Sequence, residues 1–321
     1  MHKRDKRVWL RHISSQLLLA ALVGCASLPS PAPPPAEPPA GAASPALPAP
    51  PPAPPVVLPP PRLGLALGGG AARGFAHIGV IQVLEAEGIP VYCVVGTSAG
   101  SLVAAMWASG KSGTELASLA RSMDESAISD WTFTGRGLLR GEALARYVRE
   151  HTEGKLIEGM GKPLGIVATD LGNGEPVLFR RGDPGTAVRA SSAVPAVFQP
   201  VRINGREYVD GGLVAPVPVR FARQMGAELV LAVDISAAPE GQATGDPLRM
   251  LLQTFAIMGR SLNRWELQGA DLVLRPALDG LSGADFTQRQ RAIDAGRDAA
   301  RAALPALRRA LRRETPALPP R

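Results

Sequence analysis

The chain has 321 residues, a formal net charge of +7 and a hydrophobic fraction of 45%, which is ample for a sizeable core. Its basic residues include a cluster in a C-terminal helix and tail. This cluster fits a solvated helix face better than a nucleic-acid site, because no aromatic residues interleave with it. The chain has two cysteines, and Cys25 is predicted to be lipidated. Because only Cys93 then remains, a disulfide framework and a cysteine metal site are excluded.

The first 24 residues are predicted to be an export signal. Five lysine or arginine residues precede the run ISSQLLLAALVG, which is too short to span a bilayer, since a spanning helix needs about 20 apolar residues. The ending LVGC resembles the bacterial lipobox, so lipidation of Cys25 is predicted, with an ordinary signal peptide as the alternative. Ala26 favours sorting to the outer membrane, on its periplasmic or surface face. Without residues 1–24, which carry a net charge of +4, the net charge falls from +7 to +3.

Residues 25–62 combine the predicted lipidated cysteine with a linker rich in proline and alanine. Seventeen of the 36 positions from 26 to 61 are proline, which removes amide donors and prevents a packed core. The segment is predicted to be an extended tether with a reach on the order of 100 Å at most. A plain disordered linker has the same composition and remains the alternative.

From Leu63 onward, short apolar runs alternate with helical patterns. Strands are predicted at LGLAL, VYCVV, LGIVATD, EPVLF, ELVLAVDI and DLVLRP. Helices are predicted at FAHIGVIQVLEAEG, SLVAAMWASG, 141–150, 217–225, 248–266 and 286–303. The alternation indicates a three-layer α/β/α sandwich with a mainly parallel central sheet. We predict one folded domain over residues 63–311 and a fraying tail over 312–321.

Two glycine-rich loops follow the first two predicted strands, at the sheet edge where α/β proteins bind ligands. The first, GGGAARG, has Arg73 where a dinucleotide fingerprint needs its third glycine, and the second strand ends in Gly96 rather than an acidic residue. A P-loop is excluded as well, because the Gly-Lys-Ser/Thr ending is missing. The second loop, GTSAG, matches the G-x-S-x-G pattern that places a serine, here Ser98, on a strained strand-to-helix turn.

A serine nucleophile at position 98 needs a general base. His151, the only later histidine, ends an amphipathic stretch and is predicted to lie on the surface, while His77 on the first helix is predicted to be packed. A classical triad is therefore poorly supported. Asp210 follows a short strand and precedes Gly211-Gly212, so its carboxylate could accept the serine proton directly in a dry site. An ordinary Asp-Gly turn is an equally good account of this position.

The glycine-rich loop, GTSAG and DGG, in this order, resemble the patatin-like phospholipases, which are Ser-Asp dyad acyl hydrolases. Four longer stretches also resemble bacterial members: LGLALGGGAARGFAHIGVIQVLEAEGI, VVGTSAGSLVAAMWASG, ATDLGNGEPVLFRRGD and RASSAVPAVFQPVRINGREYVDGGLVAPVPVRFARQMGAELVLAVDI. The resemblance covers residues 63–236, with a looser fit to roughly residue 305.

The resemblance implies a role for each matching position. Ser98 would be the nucleophile and Asp210 its base, and no metal or cofactor is implied. The oxyanion would be held by loop N–H groups, those of Gly69, Gly70 and Ala71. Ala71 stands where many members have a third glycine, and Arg73 either holds the loop or attracts a phosphate, with a structural salt bridge as an equal alternative. The supporting motif positions are Gly68, Gly74, Gly96, Gly100, Gly211 and Gly212.

These observations lead to the expectation of a membrane-tethered serine hydrolase that acts on phospholipids or other acyl-ester lipids. A carboxylesterase for small soluble esters and a non-catalytic scaffold are the alternatives, although a scaffold has no need for the serine, the aspartate and the loop together. No nucleic-acid partner is expected, and the oligomeric state is left open. Residues 123–140, which include Trp131, are a candidate flap over an acyl-chain site, or else a buried connection.

Overall fold

The computed structural model describes most of the chain from residue 59 onward. The described ranges are 59–124, 128–132, 135–237, 245–283 and 285–312. The predicted signal sequence, Cys25 and the tether as far as residue 58 lie outside the described residues, as does the tail from residue 313, so these predictions stay predictions. Within the described ranges, no helix combines the length and the hydropathy needed to cross a membrane.

The described residues form ten strands and eight α-helices. The strands are β1 Leu63–Leu67, β2 Cys93–Thr97, β3 Gly137–Leu139, β4 Leu164–Asp170, β5 Pro176–Phe179, β6 Ala196–Phe198, β7 Val201–Ile203, β8 Arg206–Asp210, β9 Leu229–Val233 and β10 Leu272–Leu274. The helices are α1 Phe75–Ala86, α2 Ala99–Ala108, α3 Gly113–Ser122, α4 Glu142–His151, α5 Pro184–Ser191, α6 Val219–Gln224, α7 Pro247–Glu266 and α8 Arg289–Leu311.

A central eight-stranded sheet organises the fold, in the order β10-β9-β1-β2-β4-β8-β7, with β5 paired to β4. The five strands from β10 to β4 are parallel, whereas β5, β8 and β7 pair antiparallel with their neighbours. The sheet is covered on both faces. Leu65 of β1 packs in one core with α1 and α2, and Ala66 packs in the other with α6. The predicted α/β/α class with a mostly parallel sheet is confirmed.

One edge of strand β4 pairs first with β2 and then with β8, and this arrangement positions the site. Val167 pairs with Thr97 of β2 and with Leu178 of β5. The next residue, Ala168, still pairs with β5 but has Asp210 of β8 on its other side. Because a strand has only two hydrogen-bonding edges, β8 continues the line of β2 along the same edge of β4. The end of β8 therefore meets the end of β2, immediately before Ser98.

Several elements differ from the sequence-based expectations. The short strands β3, β6 and β7 are not among the predicted strands, and three helices differ as well. Helices α3 and α5 are absent from the predicted set, although Ser112 and Asp183 accept the N-terminal N–H bonds typical of helix caps. Helix α8 continues through Pro305 to Leu311, because Leu307 is buried in the main core and its packing outweighs one lost backbone hydrogen bond.

The predicted flap is partly outside the described residues. Its described part includes β3, which pairs with β6, and an exposed Trp131 that bridges to Leu139. None of its described residues lines the cleft around Ser98. Helix α7 borders that cleft instead.

Candidate active site

Ser98 lies on a strained turn between β2 and α2. Its backbone angles are φ 52° and ψ −124°, a conformation that non-glycine residues avoid. The turn is tight enough to require both flanking glycines. A Cβ on Gly96 would lie 2.4 Å from the Gly100 carbonyl oxygen, and a Cβ on Gly100 would lie 2.2 Å from the Leu67 carbonyl oxygen. The GTSAG pattern therefore folds as the predicted strand-to-helix turn.

A residue that the sequence-based analysis did not select, Ser191, anchors this turn. Its hydroxyl accepts the Ser98 N–H at 2.8 Å and donates to the Val167 carbonyl at 2.5 Å. Ser191 is fully buried at the end of α5. The Ser98 carbonyl accepts both the N–H and the hydroxyl of Ser101. The backbone of Ser98 is thus fixed on both sides, which leaves its side chain to the cleft.

Asp210 ends β8 with its carboxyl group buried, and the residue is 6% exposed. Its Oδ1 accepts the Gly212 N–H at 2.7 Å. Its Oδ2 is buried, and among the described residues it has no hydrogen-bond partner. Burial raises the pKa of Asp210 to about 6, while the Gly212 N–H and the nearby Ser98 hydroxyl oppose this rise. The hydroxyl is therefore close to the carboxylate, although in this geometry it makes no hydrogen bond to Oδ2.

The glycine-rich loop after β1 packs directly against Ser98. A Cβ on Gly69 would lie 3.2 Å from Ser98 Cβ. The Gly69 N–H donates to the Pro216 carbonyl at 2.9 Å, so it is already engaged and is not free for an oxyanion. The N–H groups of Gly70 and Ala71 have no backbone acceptor within the described part of the chain. Ala71 takes the left-handed angle φ 51°.

Two basic residues belong to this region: Arg73 is part of the loop and lines the cleft, and His77 follows the loop on α1. His77 is fully buried, and its Nε2 contacts the Gly68 carbonyl at 2.8 Å. Burial lowers the pKa of His77 to about 4, so the ring is neutral at physiological pH and Nε2–H is the donor. Burial also lowers the pKa of Arg73, against the attraction of Asp234. His77 is thus packed as predicted and supports the loop; His151 is only half-buried and contacts the Tyr147 carbonyl.

An open cleft of about 250 Å³ surrounds Ser98 and Asp210. One side is formed by Gly69, Gly70, Ala71 and Arg73, and another by Val194, Pro195 and Leu213. Helix α7 contributes the remaining apolar wall through Phe255, Ala256 and Gly259. Among the described residues, no group of three His, Cys, Asp or Glu side chains is placed to hold a metal ion. The cleft therefore brings the Ser98 hydroxyl, the Asp210 carboxylate and free loop amides together with an apolar wall.

The fold and the cleft together define the class: an α/β protein with a serine on a strained turn, beside a buried carboxylate and under a glycine-rich loop. A family model described as patatin-like phospholipase matches residues 65–223. An uncharacterized NTE family protein of Mycobacterium tuberculosis H37Rv is 38% identical over 186 residues, covering 57% of this chain and 51% of that protein. Residues 65–223 therefore form a domain of the patatin-like phospholipase family.

Two further proteins resemble the chain. Patatin-like phospholipase domain-containing protein 6 of Mus musculus is 32% identical over 219 residues, covering 65% of this chain and 16% of that protein. The chain spans about half the length of the mycobacterial relative. VipD from Legionella pneumophila has a similar solved structure, with a TM-score of 0.55 at 16% identity over 77% of this chain and 67% of that chain. At this identity, the likeness to VipD shows the fold alone.

Proposed function

We propose that the protein is a serine acyl hydrolase that cleaves carboxylic ester bonds of membrane lipids, with Ser98 as nucleophile and Asp210 as general base. The main support is the meeting of these two residues at the shared edge of β4, where Ser98 follows Thr97 and Asp210 pairs with Ala168. The family adds support for a lipid substrate, since its name describes phospholipases.

The first chemical step is removal of the Ser98 proton. A carboxylate can act as the base only when it is ionised, and a pKa of about 6 leaves Asp210 mostly ionised near neutral pH while making it a stronger base than an ordinary aspartate. Oδ2 is the oxygen for this role, because Oδ1 is occupied by the Gly212 N–H. Proton transfer requires the Ser98 hydroxyl, which already acts on this carboxyl group, to donate to Oδ2.

The attack of Ser98 Oγ on the ester carbonyl places a negative charge on the former carbonyl oxygen. The N–H groups of Gly70 and Ala71 are the candidate donors to this oxyanion, because the Gly69 N–H is bound to Pro216. Collapse of the intermediate expels the alcohol, which takes the proton from Asp210, and leaves an acyl group on Ser98. Asp210 then removes a proton from water as the water oxygen attacks the acyl-enzyme. The second intermediate collapses, the Ser98 Oγ–acyl bond breaks, and Asp210 returns the proton to Ser98 Oγ as the fatty acid leaves.

The apolar wall of the cleft supports an acyl chain as the group next to the ester. Val194, Leu213 and Phe255 line the cleft beside Ser98 and offer carbon surface rather than hydrogen-bonding groups. The test is incubation of the purified protein with phospholipid vesicles and with nitrophenyl esters of increasing chain length, with all products identified by mass. Release of fatty acid that depends on Ser98 supports the proposal. Turnover of short soluble esters alone would favour the carboxylesterase, and no turnover of either substrate would favour the scaffold.

Ser191 is expected to act by positioning the nucleophile. Ser191→Ala removes the acceptor of the Ser98 N–H, and a buried N–H without a partner costs about 1–3 kcal/mol. We expect the free energy of unfolding to fall by about 2 kcal/mol and kcat to fall roughly tenfold, because the strained turn loses an anchor. Chemical denaturation and ester hydrolysis measure the two effects. Ser192→Ala, at the half-buried neighbouring position, is the control; equal behaviour of the two variants would contradict the role of Ser191.

A further inference from the structure

Helix α7 exposes a row of large apolar side chains to solvent. The exposed fractions are 58% for Met250, 36% for Leu251, 52% for Ile257, 49% for Met258 and 75% for Trp265. At 100° per residue these five positions fall within an arc of about 120°, so they lie on one side of the helix. The exposed Thr254 and Ser261 lie within the same arc, whereas Leu252, which is 38% exposed, lies outside it. We call this side the outer face of α7. The buried residues of the helix, Asn263 and Glu266, lie on the side towards the protein.

The charges that α7 presents to solvent are all positive. Arg249, Arg260 and Arg264 are exposed and fall along one flank of the outer face at about 100° per residue. The one acidic residue of the helix, Glu266, is buried and paired with Arg220. Asp246, just before the helix, caps its first turn and pairs with Arg249 at 3.1 Å. The outer face is thus an apolar strip bordered by arginines.

The same helix forms one wall of the cleft. Phe255, Ala256 and Gly259 line the cleft on the side of α7 that faces the protein. A surface that contacts the outer face therefore lies within about one helix diameter, roughly 10 Å, of the space beside Ser98. A lipid surface that contacts the outer face is therefore also close to the cleft.

We propose that the outer face of α7 docks on an anionic lipid surface and holds the cleft against its substrate, an inference that rests on the proposed lipid hydrolysis. An apolar strip flanked by arginines suits a helix that lies in the plane of a membrane interface. There the apolar side chains enter the acyl boundary and the arginines contact anionic headgroups. Trp265, the most exposed of the five, belongs to the residue type that prefers this interface.

A second copy of the chain fits this face less well. The strip from Met250 to Trp265 is about 24 Å long and about 10 Å wide, or roughly 240 Å². Stable protein interfaces bury about 800 Å² on each partner. A lipid surface has no such minimum, because it conforms to the helix and can contact surrounding residues as well.

Vesicle flotation tests the docking directly. The 321-residue protein carries Cys25→Ser, which removes the predicted acyl anchor, and Ser98→Ala, which prevents vesicle breakdown. We expect it to float with vesicles of phosphatidylcholine and phosphatidylglycerol and to bind phosphatidylcholine alone more weakly. Ile257→Gln with Met258→Gln should weaken binding roughly tenfold, because two apolar side chains no longer enter the interface. Arg264→Gln should weaken binding to the anionic vesicles only.

The matched control is Leu156→Gln. Leu156 is 49% exposed, as is Met258, but it lies before β4 and therefore near the opposite end of the parallel strands. We expect this variant to float like its parent. The proposal is overturned if the glutamine pair floats unchanged, or if the parent does not bind anionic vesicles. It is also overturned if light scattering shows a dimer that the glutamine pair dissociates, since a second copy would then cover the face.

The flotation result does not depend on catalysis, so the two proposals fail separately. With Ser98 intact, the glutamine pair should hydrolyse a short soluble nitrophenyl ester at the parental rate and lose activity on vesicles. If neither protein released product from the soluble ester or from vesicles, the proposed function would be overturned and the flotation result would stand. Equal melting temperatures of parent and glutamine pair would show that the fold is intact.

Discussion

Ser98→Ala is expected to reduce ester hydrolysis by at least about 10³-fold, since the variant loses the atom that forms the acyl-enzyme. The fold should be preserved. The structural contacts of Ser98 are made by its backbone, which binds Ser191 and Ser101 and remains in the variant. Initial rates on phospholipid vesicles and on a soluble ester, with circular dichroism and thermal unfolding, measure both expectations.

The matched control for this variant is Ser236→Ala. Ser236 lines the same cleft, and its hydroxyl accepts a hydrogen bond from Asn263 rather than facing a carboxylate. We expect Ser236→Ala to retain activity within a few fold and to be labelled by a fluorophosphonate probe, whereas Ser98→Ala should not be labelled. Retention of more than about a tenth of the parental rate by Ser98→Ala would contradict the assignment of the nucleophile.

Those parts of the site that depend on residues close together in the sequence could be predicted from the sequence. Gly96 and Gly100 mark the turn around Ser98 because a side chain at either position would collide with backbone atoms of neighbouring segments. Gly211 marks the end of β8 for the same reason, since its Cβ would lie 2.2 Å from the Val167 carbonyl oxygen. Such glycines are visible in the sequence, and so are the apolar runs of the buried parallel strands.

Contacts between distant segments have no such signal. Ser191 lies 93 residues from Ser98 in the sequence, and a lone serine within RASSAVP carries no pattern that indicates its partner. The hydrogen bond from the Gly69 N–H to the Pro216 carbonyl could not be predicted for the same reason. It depends on how the segment after Asp210 crosses the end of β1. The helix at 248–266 was predictable from its periodicity, but its exposed apolar face was not, because the same pattern is typical of a helix packed on a core.

The burial of Asp210 also depends on the assembled sheet. The segment REYVDGGL is compatible with an exposed Asp-Gly turn, and only the pairing of Asp210 with Ala168 carries the carboxyl group into the interior. That pairing provides the basicity, because removal from water raises the pKa. The burial that makes the base effective therefore also destabilises the folded protein when the carboxyl group is ionised.

Asp210→Asn is expected to reduce activity by about 10³-fold or more, because an amide cannot accept the Ser98 proton. In the parent, kcat/KM should rise with pH through about 6, the pKa of Asp210, and then level off as the carboxylate becomes fully ionised. The residual activity of the variant should lack this rise. Asp294→Asn, which changes a carboxylate on α8 that pairs with Arg297 away from the cleft, is the control and should retain the parental profile. A parental rate that does not change across this range would contradict Asp210 as the base.

Asp210→Asn is also expected to change how the free energy of unfolding depends on pH. The pKa of Asp210 is raised in the folded protein from 3.8 to about 6, so the folded state binds more protons than the unfolded state between these values. The stability of the parent therefore falls as the pH rises through this window, by up to about 3 kcal/mol, whereas the neutral amide of the variant contributes no such change.

The new amide N–H group has no acceptor where Oδ2 now lies, but that cost does not vary with pH. The free energy of unfolding of Asp210→Asn minus that of the parent should therefore increase between about pH 4 and pH 7. Chemical denaturation at several pH values measures this difference, and a constant difference would show that the carboxylate is not held at a raised pKa.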